Sequence, residues 1–324
     1  MPELPEVEVV RAGLESAVSG AIVTGVEIFD ERSLRRHDRS LGDFEALLTG
    51  ARIEAAVRRG KFLWFPLAAV PGEPPGTAER RAIVAHLGMS GQVLLRTPGE
   101  TAQKLLRIRL TLQHPEQGEL ALHFVDQRIF GSMAVDRLQA TVDGRSAGYA
   151  GPGMAPGRPA AGETDTPPAW SGLIPSQVAH IGRDPLDPAF SAPAFYGSLA
   201  RTRSGIKRVL LDQQVVSGIG NIYADEALFD ARVHFDQPAA SLSPASARRL
   251  LTAVRAILLR ALDEGGTSFD AQYVNVNGQS GYFAHSLNAY GQQGKPCPRC
   301  GTDLVRAKFM NRSSHYCPRC QRVR

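Results

Sequence analysis

The 324-residue chain lacks any long apolar run, and its first residues lack a basic stretch. A membrane-spanning helix needs about 18 or more predominantly apolar residues in succession, and none of that length occurs. A secretory signal begins with basic residues followed by an apolar segment, whereas this chain begins with the acidic MPELPEVEVVRAG. We therefore expect neither a transmembrane helix nor a secretory signal, and we expect a bacterial protein of the cytoplasm.

Cysteine is scarce and the excess charge is small, and both are concentrated at one end of the chain. The four cysteines all lie in the last thirty residues, which excludes a disulfide framework spread over the whole chain. The net charge is +5, and residues 295–324 alone hold eight Lys and Arg against one Asp, a balance of +7 that leaves −2 for the rest. This basic segment favours a polyanionic partner.

Hydrophobic periodicity divides the chain into four segments. Residues 1–137 begin with a helix and continue as short alternating strands separated by Gly and Pro, which predicts a β-sandwich. A stretch rich in Gly, Pro and Ala follows, so we interpret residues 138–175 as a flexible linker or insertion. Residues 176–290 are predicted to be mainly helical, and residues 291–324 contain the cysteines. The predicted class is an α+β protein with several domains.

Glycines and capping residues mark the ends of the predicted helices. The first helix has apolar residues at helical spacing and ends at Gly20. The longest predicted helix begins with Ser243 as its N-cap and Pro244 in its first turn, and it ends at Gly265 and Gly266. The turn VVSGIGNIY separates two shorter helices. The apolar residues of the first helix are Val7, Val10, Leu14, Ala17 and Val18.

The cysteines form two C-x2-C motifs, Cys297 with Cys300 and Cys317 with Cys320, separated by sixteen residues. Two such turns at the ends of a short hairpin bring four thiolates to one tetrahedral zinc ion. Free thiols or disulfides are the alternatives, and the spacing favours one structural Zn²⁺. Because four protein ligands leave no open coordination position, this zinc would stabilise the fold and take no part in chemistry.

The segment between the two cysteine pairs, LVRAKFMNRSSHY, is basic. Arg306, Lys308 and Arg312 lie near its tip, and Arg299 and Arg319 lie within the C-x2-C motifs, a distribution that favours contact with phosphates. A module of this kind could also bind another protein, and it does not identify which nucleic acid is bound.

The N-terminus carries residues suited to amine chemistry. Pro2 follows the initiator methionine, and a small second residue permits removal of that methionine, which would leave a free secondary amine. An α-amine has a pKa of about 7.7–8.0, so a fraction of the N-terminal amines is unprotonated in the cell and can attack a carbonyl-like carbon. Glu3, with Glu6 close by, could transfer protons. The alternative is an acidic helix N-terminus without catalytic function.

Several motifs, in a fixed order, give the chain a resemblance to the formamidopyrimidine-DNA glycosylases of the helix-two-turns-helix family. They are MPELPEVE, GKFLWF, HLGMSG, VDQRIFG, LLDQQVVSGIGNIYADEALF, GGTSFD with GQSGYF, and the four-cysteine finger. The resemblance covers nearly the whole chain except the linker. It implies a monomeric glycosylase and AP lyase that acts on oxidised purines and abasic sites in double-stranded DNA, with an N-terminal β-sandwich, a helical DNA-binding domain and a zinc finger.

The resemblance also implies catalytic roles. Pro2 matches the nucleophile that attacks the sugar C1′, and Glu3 matches the general acid and base beside it. Lys61, in RRGKF, matches a lysine that donates a proton. Arg312, at the tip of the finger, matches an arginine that takes part in strand cleavage.

Further residues are implied to contact DNA. Met89, Arg128 and Phe130 match the wedge residues that fill the space left by an extruded base. Asn221 matches an asparagine that binds a backbone phosphate, with the following helix offering its N-terminal amides, and Lys207 matches a lysine that contacts nucleic acid. The loop from residue 267 to 282 matches the segment that closes over the extruded purine.

The chain departs from the family pattern at two positions. Leu105 follows Lys104 where the family often has histidine, and Ile129 replaces the second arginine of an R-R-F motif. Both changes weaken expected phosphate contacts, for which Arg107 or Arg109 could compensate.

Three other functions are compatible with parts of the sequence. The sister enzyme endonuclease VIII, which removes oxidised pyrimidines, usually has glycine where this chain has Leu4. A non-catalytic DNA-binding protein would not need Pro2, Glu3 and Lys61 together. A zinc-ribbon adaptor of transcription or translation would not need the two preceding domains.

Overall fold

The computed structural model describes residues 2–69, 79–100, 104–151, 167–267, 276 and 283–323. The chain divides into two compact units. The first comprises residues 1–2, 6–180 and 269–280, and the second comprises residues 3–5, 181–268 and 281–324. The predicted α+β class is confirmed, because the first unit is built mainly of strands and the second mainly of helices.

The first unit contains one long helix and two antiparallel sheets. Helix α1 spans Leu4–Val18, and α2 spans Phe44–Leu48. The strands are β1 (Ile22–Ile28), β2 (Val57–Arg59), β3 (Phe62–Pro66), β4 (Arg81–His86), β5 (Gly91–Arg96), β6 (Leu106–His114), β7 (Gly118–Asp126), β8 (Ser132–Ala140) and β9 (Leu173–Pro175). One sheet has the order β1-β6-β7-β5, and the other has the order β2-β3-β4-β8-β9.

Both sheets contribute to a single hydrophobic core, as in the predicted sandwich. Alternate residues of β6 and β7 face this core, and β3, β4 and β8 contribute their own apolar residues. The predicted apolar face of α1 is confirmed, since Val7, Val10, Leu14 and Val18 all belong to the same core. Gly20, which follows α1, has φ +88, a conformation that favours glycine.

The segment predicted as a linker is described at residues 138–151 and 167–175, and both parts belong to the first unit. Residues 152–166 lie outside the described part. Strand β9 pairs with β8 through Leu173 and Ala140. Tyr149 exchanges backbone hydrogen bonds with Arg58, and the guanidinium groups of Arg11 and Arg58 lie 5.4 Å and 5.9 Å from the centre of its ring. The described ends of residues 138–175 are therefore ordered by sheet pairing and cation–π contacts, which a composition rich in Gly, Pro and Ala does not indicate. The boundaries predicted at 137 and 175 also differ from the division between units at 180 and 181.

The second unit is organised around two helices, α5 and α6. Its helices are α3 (Ala192–Arg201), α4 (Ile206–Leu210), α5 (Asn221–Ala231) and α6 (Pro244–Asp263). The predicted cap of α6 is confirmed, because Ser243 Oγ accepts a hydrogen bond from Ser246 N at 3.2 Å. Gly265 and Gly266 end the helix with φ values of +75° and +82°.

The cysteine module packs against α5 of the same unit. Strands β10 (Val305–Phe309) and β11 (Arg312–Tyr316) form an antiparallel hairpin between the two cysteine pairs. The buried carboxylate of Glu226, on α5, accepts hydrogen bonds from three successive backbone amides, those of Asn288, Ala289 and Tyr290. Gln321 donates to Val233 O at 2.9 Å, beyond the end of α5. Within the described residues, no helix is both long enough and apolar enough to cross a membrane.

Candidate functional site

Pro2 and Lys61 both lie in the first unit and are buried. Lys61 follows Gly60 in the tight turn between β2 and β3, where Gly60 has φ +57. His86 lies near Lys61, and its pKa is lowered to about 4, first by burial and then by the charges of Arg36 and Lys61. His86 is therefore neutral at physiological pH, and it does not add a positive charge beside Lys61.

Glu3 is held at the N-terminus of α5. Its carboxylate accepts hydrogen bonds from the backbone amides of Gly220 at 2.6 Å, Ile222 at 3.0 Å and Tyr223 at 3.3 Å. Helix N-termini leave such amides without intrahelical partners and favour negative charge. A Cβ atom at residue 220 would overlap the Glu3 carboxylate, so this approach requires glycine. The geometry fixes both oxygens of the carboxylate next in sequence to Pro2.

The same contacts correct one expectation about α5. The sequence predicts that the N-terminal amides of this helix bind a DNA phosphate, but those of Ile222 and Tyr223 bind Glu3 instead. Asn221, the first residue of α5, is half-buried, and its Oδ1 has no hydrogen-bond partner within the described residues. A phosphate contact by the Asn221 side chain stays a prediction.

The three predicted wedge residues are exposed on neighbouring loops of the first unit. Met89 and Phe130 are exposed by 48% and 49%, values that are high for large apolar side chains, and Arg128 is exposed as well. Gly88 brings the loops together, because a Cβ atom there would overlap the backbone carbonyl of Phe130. The structure therefore brings Met89, Arg128 and Phe130 to one region of the surface.

Asp126, at the end of β7, organises both of these loops, and sequence reasoning did not single it out. Its buried carboxylate accepts hydrogen bonds from Ser90 Oγ at 2.6 Å, Arg128 N at 3.1 Å and Gly131 N at 2.6 Å. The motif VDQRIFG contains this aspartate, but the resemblance assigns roles only to its exposed neighbours. Its position at the end of a buried strand is the signal that would have indicated a structural role.

Lys207 is completely buried, a position that gives no support to its predicted contact with nucleic acid, which stays a prediction. Its Nζ donates to Asp225 Oδ1 at 2.7 Å, Ser313 O at 3.0 Å and Ser314 Oγ at 2.8 Å, and it lies 4.9 Å from the centre of the Phe309 ring. An ammonium group has three donors, and these contacts account for all of them. The structure thus assigns Lys207 an internal role, linking α4 and α5 to the β10–β11 hairpin.

Arg312 lies at the start of β11 and is exposed. It pairs with Phe309 across the hairpin, whose tip includes Met310 with φ +53. Arg306 and Lys308 lie at alternate positions of β10, and both are exposed. The tip therefore presents the basic surface that the sequence predicts.

Other basic residues serve internal contacts. Arg299 donates to the carbonyl oxygens of Phe229 at 2.5 Å and Asp230 at 3.3 Å, at the C-terminal end of α5, where a positive charge is favourable. Arg107 donates to Asp126 O at 2.8 Å, and Arg109 donates to a Glu27 carboxylate oxygen at 2.7 Å. Arg107 and Arg109 are therefore engaged within the protein, and the suggestion that they compensate for the departures at positions 105 and 129 stays a prediction.

The four cysteines form a site that fits one zinc ion. Their sulfur atoms all lie within 4.8 Å of one another, and the Sγ atoms of Cys300 and Cys317 are 3.5 Å apart. A zinc–sulfur bond of about 2.3 Å in a tetrahedron places neighbouring sulfurs about 3.8 Å apart, which agrees with this cluster. Cys297 and Cys317 are buried, and four thiolates complete a closed structural site.

Comparisons with known proteins cover almost the whole chain. Residues 1–133 match the formamidopyrimidine-DNA glycosylase N-terminal domain, residues 181–272 match the corresponding H2TH domain, and residues 294–323 match the zinc finger found in FPG and IleRS. A formamidopyrimidine-DNA glycosylase of Leifsonia xyli subsp. xyli is 61% identical, with 100% of each chain covered. A protein of the same name from Kineococcus radiotolerans is 50% identical over 100% of this chain and 98% of its own.

Solved structures give the same result. The Lactococcus lactis Fpg in complex with DNA containing an abasic site has a TM-score of 0.73 and 26% identity, with 99% of each chain covered. The MutM (Fpg) protein of Thermus thermophilus has a TM-score of 0.72 and 33% identity, covering 99% of this chain and 98% of its own. A MutM structure in complex with DNA containing carbocyclic 8-oxo-G has a TM-score of 0.73 and 27% identity, covering 99% and 100%.

Proposed function

Because the chain belongs to the formamidopyrimidine-DNA glycosylase family, whose members are DNA-repair glycosylases for oxidised purines, we propose that it excises such purines by covalent catalysis at Pro2. The substrates are duplex DNA with 8-oxoguanine or formamidopyrimidines, and abasic sites. The observation that carries this proposal is the carboxylate of Glu3, held by three backbone amides directly after Pro2 in the chain.

The first step joins the amine of Pro2 to the sugar. The nitrogen lone pair attacks C1′, and the bond between C1′ and the base nitrogen breaks, with the electron pair leaving on the base. Proton transfer to the departing base or the sugar requires a positioned acid, a role we assign to Glu3 and Lys61. The attached nitrogen then loses its proton, and its lone pair breaks the C1′–O4′ bond, so that the sugar ring opens and O4′ takes up a proton. Because a secondary amine cannot form a neutral imine, the product is a cationic iminium that draws electrons from the sugar.

The second stage cleaves the strand. The iminium makes the C2′ proton acidic, and its removal expels the 3′ phosphate by β-elimination. A further elimination expels the 5′ phosphate and leaves a one-nucleoside gap. We assign Arg312 to this stage, because its exposed guanidinium suits a phosphate leaving group. The zinc is assigned no step, since its four thiolates leave no open position and its role is to hold the hairpin that carries Arg312.

DNA binding requires the base to leave the stack. Removing a base from the duplex costs a few kcal/mol, and apolar side chains that enter the gap offset part of that cost. Met89 and Phe130 are exposed large apolar residues suited to this role, and Arg128 lies in the same region. We assign the capping of the extruded purine to the loop from residue 267 to 282, most of which lies outside the described residues.

Trapping with borohydride tests the covalent step. A duplex with 8-oxoguanine opposite cytosine should yield a reduced protein–DNA adduct whose mass places the bond at Pro2. The Pro2→Gly variant should give far less adduct, whereas Pro5→Gly, which changes a proline that has no terminal amine, should retain it. Mass spectrometry of the intact protein should find Met1 absent.

Two results would contradict the proposal. One is strand cleavage by a protein that keeps Met1 or carries an acetyl group. The other is a preference for thymine glycol over 8-oxoguanine, which would favour an endonuclease VIII-like activity on oxidised pyrimidines.

A further inference from the structure

Arg35 hydrogen-bonds to the exposed loop that follows β7. Its guanidinium donates to the carbonyl oxygens of three successive residues: Nη1 lies 2.8 Å from Ile129 O and 2.7 Å from Gly131 O, and Nη2 donates to Phe130 O. Arg35 directly follows the 3₁₀ helix Glu31–Leu34, whose Leu34 belongs to the hydrophobic core of the first unit. One side chain therefore ties the exposed loop to the core.

Asp126 also holds this loop, through its backbone N–H groups. This buried carboxylate accepts the backbone N–H groups of Arg128 and Gly131, while Arg35 binds the carbonyl groups of residues 129–131. The backbone around Phe130 therefore donates hydrogen bonds to the carboxylate of Asp126 and accepts hydrogen bonds from the guanidinium of Arg35. The side chains of Arg128 and Phe130 remain exposed.

The backbone conformation of this loop needs such support. Ile129 has φ +55, a left-handed conformation that is rare for a β-branched residue and costs on the order of 1 kcal/mol or more. A guanidinium is planar and presents five N–H donors in a fixed arrangement, so it can bind several carbonyl groups that converge on it. A lysine ammonium is a compact charge on a flexible stem and cannot reproduce that arrangement.

We propose that Arg35 is a positioning residue that fixes Phe130 and Arg128 for insertion into the DNA base stack. This inference rests on the proposed glycosylase function. A wedge must keep its shape while stacked bases resist it, and extruding a base costs a few kcal/mol. Arg35 acts through the backbone of residues 129–131 and not through a phosphate, although an exposed arginine beside Arg36 would ordinarily suggest phosphate binding.

The test compares Arg35→Lys and Arg35→Gln with the same changes at Arg39. Arg39 is an exposed arginine of the same segment, with side-chain exposure of 84%, and it pairs with Glu31. Each protein is given two duplexes under single-turnover conditions, one with 8-oxoguanine opposite cytosine and one with a preformed abasic site. The first substrate needs extrusion of a base, and the second has no base to extrude.

Both Arg35 variants should lower the excision rate by between about tenfold and a hundredfold, because misplacement of a positioned group has effects of this size. Their cleavage of the abasic strand should fall by less than about threefold, since the groups that react with the sugar are not displaced. The Arg39 variants should match the wild type on both substrates. The salt dependence of DNA binding should be unchanged in Arg35→Lys and Arg35→Gln, because Arg35 binds no phosphate.

Three results would overturn the proposal for Arg35 while leaving the proposed function intact. The first is wild-type excision by Arg35→Lys. The second is a salt slope lower by about one in Arg35→Gln alone, which would identify a phosphate contact. The third is an equal loss on both substrates, which would indicate a general folding defect. A wild-type protein that excises nothing would instead contradict the proposed function, and the inference about Arg35 with it.

Discussion

The Nζ atom of Lys207 lies 2.7 Å from Asp225 Oδ1, and both side chains are inaccessible to solvent. The ammonium also binds Ser313 O and Ser314 Oγ, on β11. The second carboxylate oxygen of Asp225 accepts a hydrogen bond from His315 N at 2.8 Å. Burial lowers the pKa of Lys207, and the charge of Asp225 opposes that shift. The pair therefore connects the finger hairpin to α4 and α5.

Removal of either charge should destabilise the second unit. Lys207→Met leaves the Asp225 carboxylate buried without its counter-ion, which typically costs about 3–5 kcal/mol. The double variant Lys207→Met with Asp225→Asn should lose less than the single variant, because no uncompensated charge remains. Urea unfolding of the three proteins measures these differences as free energies of unfolding.

DNA binding by the double variant distinguishes an internal role from a direct contact. An internal role predicts that the salt slope of binding stays at the wild-type value. If the salt slope of binding is lower by about one and stability changes little, the result would instead support the phosphate contact that the sequence suggests.

Long-range pairing explains why the internal contacts of Lys207 could not be predicted from the sequence. Periodicity and capping indicate the helices α1 and α6, and the C-x2-C spacing indicates the zinc site, since these signals lie within one segment. Asp225 is 18 residues from Lys207 and Ser314 is 107 residues away, so no local pattern indicates their contact. Family resemblance supplies a role for the lysine but does not reveal its burial.

The same limit applies to the candidate site. Resemblance places Glu3 beside the nucleophile, and exposure of Met89, Arg128 and Phe130 agrees with their predicted role as wedge residues. The bonds between Glu3 and α5 join residues 217 or more positions apart, and they become visible only in the fold. Composition also does not predict β9, because a strand of three residues forms only through its pairing with β8, which lies far away in the sequence.

Gly220→Ala should impair catalysis by displacing Glu3. The added Cβ would overlap the Glu3 carboxylate, so the hydrogen bonds from Gly220, Ile222 and Tyr223 cannot all be kept. We expect single-turnover excision and lyase rates to fall by about a hundredfold or more, because a general acid loses its position. Gly197→Ala, in α3, is the matched control, since its Cβ would meet only the flexible end of Arg201. Equal rates for the two variants would contradict the role of Glu3.

Loss of one zinc ligand should release the finger hairpin. Cys317 is buried among the four clustered sulfurs, so Cys317→Ser should abolish stoichiometric zinc binding. The hairpin carries Arg306, Lys308 and Arg312, and its disorder should weaken DNA binding by about tenfold or more, on the order of 1.4 kcal/mol. Metal analysis and fluorescence anisotropy measure the two effects. Full zinc content together with unchanged affinity would refute the metal assignment.

His86 should make stability depend on pH in a defined window. Its pKa in the folded protein is about 4, against an ordinary value of 6.5, and the causes are burial followed by the charges of Arg36, Lys61 and Arg35. Between these two values the unfolded chain binds a proton at this position and the folded chain does not. The free energy of unfolding therefore falls as the pH falls from 6.5 to 4, by at most about 3 kcal/mol, and the contribution is constant above and below that window.

The variant His86→Asn isolates this contribution, because asparagine does not titrate and its side-chain oxygen can replace His86 Nδ1 as the acceptor for Gly88 N. Other carboxylates titrate in the same range in both proteins, so the difference between the two stability curves is the quantity to measure. We expect the wild type to lose stability relative to the variant as the pH is lowered from 6.5 to 4. Parallel stability curves for the two proteins across this range would contradict the prediction. They would show that burial and the neighbouring cations do not lower the pKa of His86.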